Sequence, residues 1–254
     1  MSTHTITLDG IGPVEVTVTE RGEGAPVLLL HGGGGPQTVD GFADLLATTR
    51  PVRVLTPVHP GFGGTPRPDA LDGIGKLARL YAGLLDELDL TDVTVIGNSI
   101  GGWITAELAL LDSPRVGRVM LVDAVGLDVP GHPPVDFFGL TMDEVAQHSY
   151  YEPDKFRIDL DALPPAAKQV MAGNRAALAV YGAKMTDPTL GDRLAGAKVS
   201  TLVVWGEADR IADPEVGRAF ADAIPGARFE LLARTGHMPQ IETPDLLRDT
   251  LFPA

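Results

Sequence analysis

The run Val93-Thr94-Val95-Ile96-Gly97-Asn98-Ser99-Ile100-Gly101-Gly102-Trp103 constrains this chain more than any other stretch. β-formers lead directly into Gly-x-Ser-x-Gly, and apolar residues at helical spacing (Ile100, Trp103, Ile104, Leu108) begin at once. The order is strand, sharp turn, helix, with Ser99 at the tip. A turn this tight forces the serine into strained backbone geometry, and glycines two residues to either side let strand and helix approach without side-chain clashes. The hydroxyl is thereby presented beyond the carboxyl edge of a sheet, where open α/β folds carry their chemistry. Five residues alone are a weak pattern; a strand before and a helix after make this one specific.

The rest of the chain supplies that sheet. Val14 to Thr19 alternates as a half-exposed strand, hairpinned with Thr5–Leu8 across Asp9-Gly10. Pro26 to Leu30 is apolar without a break, the mark of a central strand covered on both faces, and it ends in His31-Gly32-Gly33-Gly34-Gly35. Phe42, Leu45 and Leu46 mark a short helix, Val52 to Leu55 a strand, and His59 to Pro66 a loop rich in glycine and proline. Ile74 to Leu90 has helical spacing, and Val116 to Val122 is a strand closed by Asp123. Thr201 to Trp205 is a strand running into Gly206-Glu207-Ala208-Asp209, and a helix follows with Asp213 as N-cap and Pro214 at its first position. Arg228 to Leu232 is the last strand, followed by His237 and a closing helix from about Pro244. Repeated β-α units predict a mostly parallel, doubly wound sheet with helices on both faces.

Between Gly126 and about Asp187 the alternation stops. This segment holds six prolines, the aromatic pairs Phe137-Phe138 and Tyr150-Tyr151, and helical stretches near 141–148 and 164–182. About sixty residues bury little core alone, so the segment reads as a helical cap inserted above the sheet. The expected division is a core of 1–125 and 188–254 with a cap of 126–187.

Composition sets the outer bounds. The 254 residues suit one domain with an insertion. A net charge of −14 repels phosphate backbones, which argues against nucleic acid as a partner. There is no cysteine, hence no disulfide and no thiol chemistry. No apolar run approaches the roughly 18 residues of a membrane span, and the N-terminus shows no basic-then-apolar leader, so a cytoplasmic location off the membrane is expected.

Each chemically suggestive residue lies just after an apolar strand: His31 to Gly35, Ser99, Asp209 and His237. In a parallel sheet these loops emerge at one edge, so residues distant in sequence can meet. A serine hydroxyl is a poor nucleophile until a base takes its proton; histidine suits that task, and a carboxylate fixes its tautomer. Asp123 also closes a strand, and Glu207 neighbours the Asp209 loop, so both stand beside Asp209 as candidate acids. His31 reads as a hydrogen-bonder holding the glycine loop, and His59 as a loop residue. No His/Asp/Glu spacing suits a metal, and the glycine run lacks the residues of a phosphate cradle, so no metal is expected.

With Gly97-Asn98-Ser99-Ile100-Gly101 at the turn, His31-Gly32-Gly33-Gly34 after the third strand and the order Ser…Asp…His, the chain resembles the α/β-hydrolase superfamily over residues 5–252. The resemblance implies an eight-stranded sheet, Ser99 as nucleophile, His237 as general base then acid, and Asp209 as the orienting acid. It also implies an oxyanion hole from the backbone N–H of Ile100 and of Gly33, with Gly32 and Gly34 as the other loop candidates. Members that displace halide or open epoxides carry an aspartate nucleophile, which Ser99 excludes. What remains is acyl-enzyme chemistry on a small-molecule ester, lactone, thioester or activated ketone, without a cofactor.

Asn98, the glycine loop and Asn174-Arg175 are similar to the meta-cleavage-product hydrolases, which cut a C–C bond in vinylogous 1,5-diketones. A cap arginine grips the acidic end of the substrate there, which makes Arg175 the expected counterpart. Asn98 and Met238 are the other expected substrate contacts, although that subfamily commonly has tryptophan where Met238 stands. Enol-lactonases and carboxylesterases fit comparably, and a slow-turnover ligand receptor and a lyase using the same histidine are the alternatives on this scaffold. Monomer and homo-oligomer are equally open.

Overall fold

The computed structural model describes residues 1–253. The chain opens with β1 (Ser2–Leu8) and β2 (Gly12–Arg21), an antiparallel hairpin in which Ile6 faces Val14. It continues through β3 (Ala25–Leu30), α1 (Gln37–Thr49), β4 (Val52–Pro57), α2 (Ile74–Glu87), β5 (Val93–Asn98), α3 (Ile100–Leu110) and β6 (Val116–Val122). Two-residue strands β7 (Gly126–Leu127) and β8 (Thr186–Asp187) pair with each other. Between them lie α4 (Met142–Ser149), α5 (Pro153–Phe156) and α6 (Pro165–Tyr181). The chain closes with α7 (Leu190–Leu194), β9 (Ser200–Gly206), α8 (Pro214–Ala223), β10 (Arg228–Leu232), α9 (Pro239–Glu242) and α10 (Pro244–Leu251).

Eight strands form one sheet in the order β1-β2-β4-β3-β5-β6-β9-β10, parallel from β4 to β10. The strand order reverses between β3 and β5, so the loops after these two strands open a crevice at the carboxyl edge.

The unbroken apolar runs serve both faces. In β3, Leu28 and Leu30 join the core under α2, α3 and α8, whereas Val27 and Leu29 join the core under α1 and α10. The α8 N-terminus is as expected, with the Asp213 side chain accepting from Glu215 N–H and Pro214 in the first turn. Thr141 and Glu144 form a capping box at α4. Helix α1 is longer than the short helix expected, because Val39 extends its buried stripe of Phe42, Ala43 and Leu46 by a turn. The β7–β8 pair and the short helices α5, α7 and α9 were not anticipated. Among the described residues no helix is long and apolar enough to cross a membrane.

Candidate active site

Ser99 sits between β5 and α3 at φ 58°, ψ −119°, a strained conformation for a residue with a side chain. Two glycines make the turn sterically possible. A Cβ on Gly97 would lie 2.1 Å from the Gly101 carbonyl oxygen, and one on Gly101 would lie 2.3 Å from that of Leu30. Strand, helix and the end of β3 thus meet backbone to backbone. Ile100 contributes the first N–H of α3, for which no preceding turn supplies an acceptor.

The glycine loop lies against this turn: a Cβ on Gly32 would fall 3.0 Å from that of Ser99. Gly35 N–H closes a turn on the Gly32 carbonyl at 3.1 Å, while Gly33 N–H has no acceptor among the described residues. Beneath the loop, His31 and His59 pack in a tilted pair with ring centres 3.7 Å apart, both fully buried. His59 N–H donates to His31 Nε2 at 3.2 Å, so the His31 proton is on Nδ1, which donates to the Gly32 carbonyl at 2.7 Å. His59 Nε2 donates to the His31 carbonyl at 2.9 Å, leaving Nδ1 to accept from the Tyr81 hydroxyl. Burial holds both rings neutral. It pushes His59 down to about 4, and burial followed by the neighbouring ring pushes His31 well below its ordinary value. His31 thus holds the glycine loop as expected, and His59 proves to be its buried partner.

His237 is reached from the other side of the crevice. Its Nδ1 donates to Asp209 Oδ2 at 2.8 Å in a buried pair. Asp209 is aimed by its own turn, Oδ1 accepting from Ile211 N–H at 2.8 Å and Ala212 N–H at 3.1 Å. The His237 loop is anchored by its own N–H on the Ser149 carbonyl at 2.7 Å and by Gly236 N–H on Glu242 at 2.7 Å. With Nδ1 turned to Asp209, Nε2 is on the opposite side of the ring. Ser99 and His237 both line one cavity, with no hydrogen bond between them among the described residues.

Of the other candidate acids, Glu207 accepts from Arg234 N–H at 3.0 Å, away from the histidine. Asp123 is wholly buried, and its carboxyl comes within 4.8 Å of both Asp209 and His237.

The cavity is about 580 Å³, within the range of small-molecule sites. Gly33, Gly34 and Ser99 lie on its sheet side, and Met142, Val145, Met171 and Leu178 of α4 and α6 lie on the other. Phe137 and Tyr150 line it as well, whereas Tyr181 is buried against Phe62 with its hydroxyl donating to the Pro60 carbonyl. Met238 lines the cavity too.

Two of the expected substrate contacts have partners within the protein. Asn98 does not reach the cavity. Its Nδ2 donates to the His237 carbonyl at 3.0 Å and the Val122 carbonyl at 3.3 Å, and its Oδ1 accepts from Gln240 at 3.0 Å, so it ties β5 to the histidine loop. Arg175 is on the cavity wall, but Nη2 donates to the carbonyls of Phe137, Phe138 and Leu140, and the guanidinium stacks over both phenyl rings. Nη2 thus braces α6 against the Phe137–Leu140 segment, and no carboxylate pairs with Arg175 among the described residues.

Asn174, one residue before it, entered the sequence reading only as part of the Asn174-Arg175 pair, with no role of its own. Asn174 Oδ1 accepts from Gly63 N–H at 2.8 Å and Nδ2 donates to the Gly34 carbonyl at 2.9 Å, so α6 is fastened to both glycine-rich loops. Asn174, Ala177, Leu178 and Tyr181 are the buried positions of that helix, and their i, i+3, i+4, i+7 spacing was the available signal.

Comparison with known proteins agrees with this architecture. Residues 27–250 match the family described as "Alpha/beta hydrolase family". A 2-hydroxymuconate semialdehyde hydrolase of Pseudomonas putida is 30% identical, the alignment covering 88% of this chain and 84% of that protein. A 2-hydroxy-6-oxononadienedioate/2-hydroxy-6-oxononatrienedioate hydrolase of Cupriavidus pinatubonensis is 29% identical, covering 92% and 88%. A thermophilic esterase from Thermogutta terrifontis superposes with a TM-score of 0.79 at 24% identity, over 99% of this chain and 97% of that one. The chain belongs to the α/β hydrolase family and is a hydrolase of that fold.

Proposed function

We propose that the protein is a cofactor-free serine hydrolase of a small, largely apolar ester or lactone, with Ser99, His237 and Asp209 as its catalytic triad. The observation that carries this reading is the buried 2.8 Å contact from His237 Nδ1 to Asp209, opening on the same cavity as a serine held at positive φ. Asp209 fixes the tautomer that leaves Nε2 unprotonated, so His237 takes the Ser99 proton as Oγ attacks the carbonyl carbon. Negative charge then develops on the carbonyl oxygen, where the N–H groups of Ile100 and Gly33 receive it; removing one such donor costs about 10²–10³ in kcat. The imidazolium returns the proton to the leaving alcohol, and a water repeats the sequence on the acyl-enzyme. Residues 126–187 act as the cap, whose helices supply the apolar wall that holds the acyl group.

A neutral ester or lactone ranks first because Arg175, the cation expected for an acidic substrate end, is engaged by carbonyls of the cap itself. Cleavage of a C–C bond in an acidic diketone is the second reading. Two cations, Arg157 and Lys168, stand at the exposed rim of the cavity, and two relatives are named as hydrolases of unsaturated oxo acids.

A panel of aryl esters, lactones and a dienone diketone, run on wild type and Ser99→Ala with a fluorophosphonate label, tests both readings. Expected are stoichiometric labelling of Ser99, multiple turnovers on esters or lactones, and a loss of about a million-fold in Ser99→Ala. Absence of labelling in the folded protein refutes the serine mechanism, and labelling without multiple turnover supports a receptor instead.

A further inference from the structure

Asp123 is the buried titratable group that the mechanism leaves unused. It ends β6 at φ 44°, is fully buried, and its Oδ1 accepts from Gly206 N–H at 2.7 Å. Its Oδ2 has no hydrogen-bond partner among the described residues. What stands across from it is the carboxylate of Asp209, whose oxygens already accept from Ile211 N–H, Ala212 N–H and His237. Asp123, Asp209 and His237 bring their polar atoms within 4.8 Å of one another, with Glu242 at the end of α9 as the next charge.

Two buried carboxylates this close do not both ionise. The donor count decides which one keeps the charge: three hydrogen bonds reach Asp209 and one reaches Asp123. We propose that Asp123 is held as a neutral carboxylic acid whose proton bridges to Asp209, making it a positioning residue of the catalytic pair. The one arrangement satisfies the orphaned Oδ2 and removes a repulsion between lone pairs. It also holds the Asp209 carboxylate in place beside His237. Burial, followed by the Asp209 charge, raises Asp123 well above the usual carboxylate range, the direction the geometry requires. The bridge moderates the triad: a carboxylate sharing its charge with a second donor holds the imidazolium less tightly, so His237 gives its proton more readily to the leaving group.

This inference rests on His237 and Asp209 being the working pair, and its first test does not depend on activity. Infrared difference spectroscopy of wild type at pH 7 should show the C=O stretch of a protonated buried carboxyl, absent in Asp123→Asn. No such band means Asp123 is ionised and overturns the proposal, whatever the protein hydrolyses. The second test is the acid limb of kcat/KM against pH. In Asp123→Asn, Gly206 N–H fixes the amide oxygen and the amide N–H replaces the acid proton. Asparagine also tolerates positive φ, so the limb stays within about 0.3 unit of wild type. Were Asp123 ionised, the same substitution would remove a charge less than 5 Å from the imidazole and move the limb down by ~1 unit or more. Asp123→Ala removes the donor, so Asp209 grips the imidazolium harder and the limb moves up by roughly half a unit or more. An unmoved limb in Asp123→Ala, or a limb displaced downward in Asp123→Asn, refutes the bridge.

Discussion

Asn174 offers the sharpest test of whether helix α6 sets the geometry of the glycine loop. It is 2% exposed, and it joins α6 to the Gly34 carbonyl at 2.9 Å and to Gly63 N–H at 2.8 Å. One turn on, Leu178 covers Gly33 so closely that a Cβ there would lie 2.7 Å from Leu178 Cδ2. Replacing Asn174 by alanine deletes two hydrogen bonds worth about 0.5–1.5 kcal/mol each, hence about 1–3 kcal/mol between them. Gly34 and Gly63 are at exposed positions where water reaches, so the full penalty of a buried orphan is not incurred.

If that energy is what holds Gly33 N–H toward the oxyanion position, kcat falls about 5- to 150-fold while KM changes little. Asn174→Asp separates hydrogen bonding from packing. One carboxylate oxygen keeps Gly63 N–H, but the other faces the Gly34 carbonyl, acceptor to acceptor. At pH 8 this variant should be less active than Asn174→Ala, and it should recover as the pH drops and the protonated acid donates to Gly34. Steady-state kinetics on one aryl ester between pH 5 and 8, with urea unfolding of each variant, reads both effects. A tenfold rise in KM at unchanged kcat would place Asn174 in contact with substrate and refute the strut argument, and full activity in both variants would refute it outright.

Acidification tests the buried histidine pair. His59 takes a proton at about 4 in the native state and near 6.5 when unfolded, so its contribution is complete above 6.5. It is lost as pH falls toward 4, by about 3 kcal/mol for His59 alone. Asp123 shifts in the opposite sense, so the quantity to measure is the difference in unfolding free energy between wild type and His59→Gln from pH 7.5 to 4.5; a flat difference refutes the assignment. The glycines divide by what a methyl would strike. Gly97→Ala meets backbone at 2.1 Å and should abolish soluble expression, whereas Gly33→Ala meets only the movable end of Leu178 and should fold with reduced kcat, both read by expression and circular dichroism.

The parts of this molecule legible in sequence are those where one local pattern has one physical solution. An unbroken apolar run such as Val27 to Leu30 can only be covered on both sides, and it is. The Gly-x-Ser-x-Gly turn needs both its glycines because backbone passes within van der Waals range of each. Helix α1 was underestimated because Gly41 breaks its pattern and its last turn is made of Thr48 and Thr49, poor helix formers that bond back to the carbonyls of Asp44 and Leu45. The β7–β8 pair, two residues on each side joined across the segment 128–185, has no local signature. Asn98 was misread through its neighbour Ser99, although strand alternation places it on the face of Ile96, under α1 and α9, and not in the cavity. Asp123 and Asp209 show where sequence pattern runs out. Both follow a strand at the same edge, and strand order alone makes them interchangeable. What separates them is the number of N–H groups aimed at each: a turn that returns Ile211 and Ala212 to Asp209, against the single N–H of Gly206 at Asp123. Charge settles where the donors are, and the histidine follows the charge.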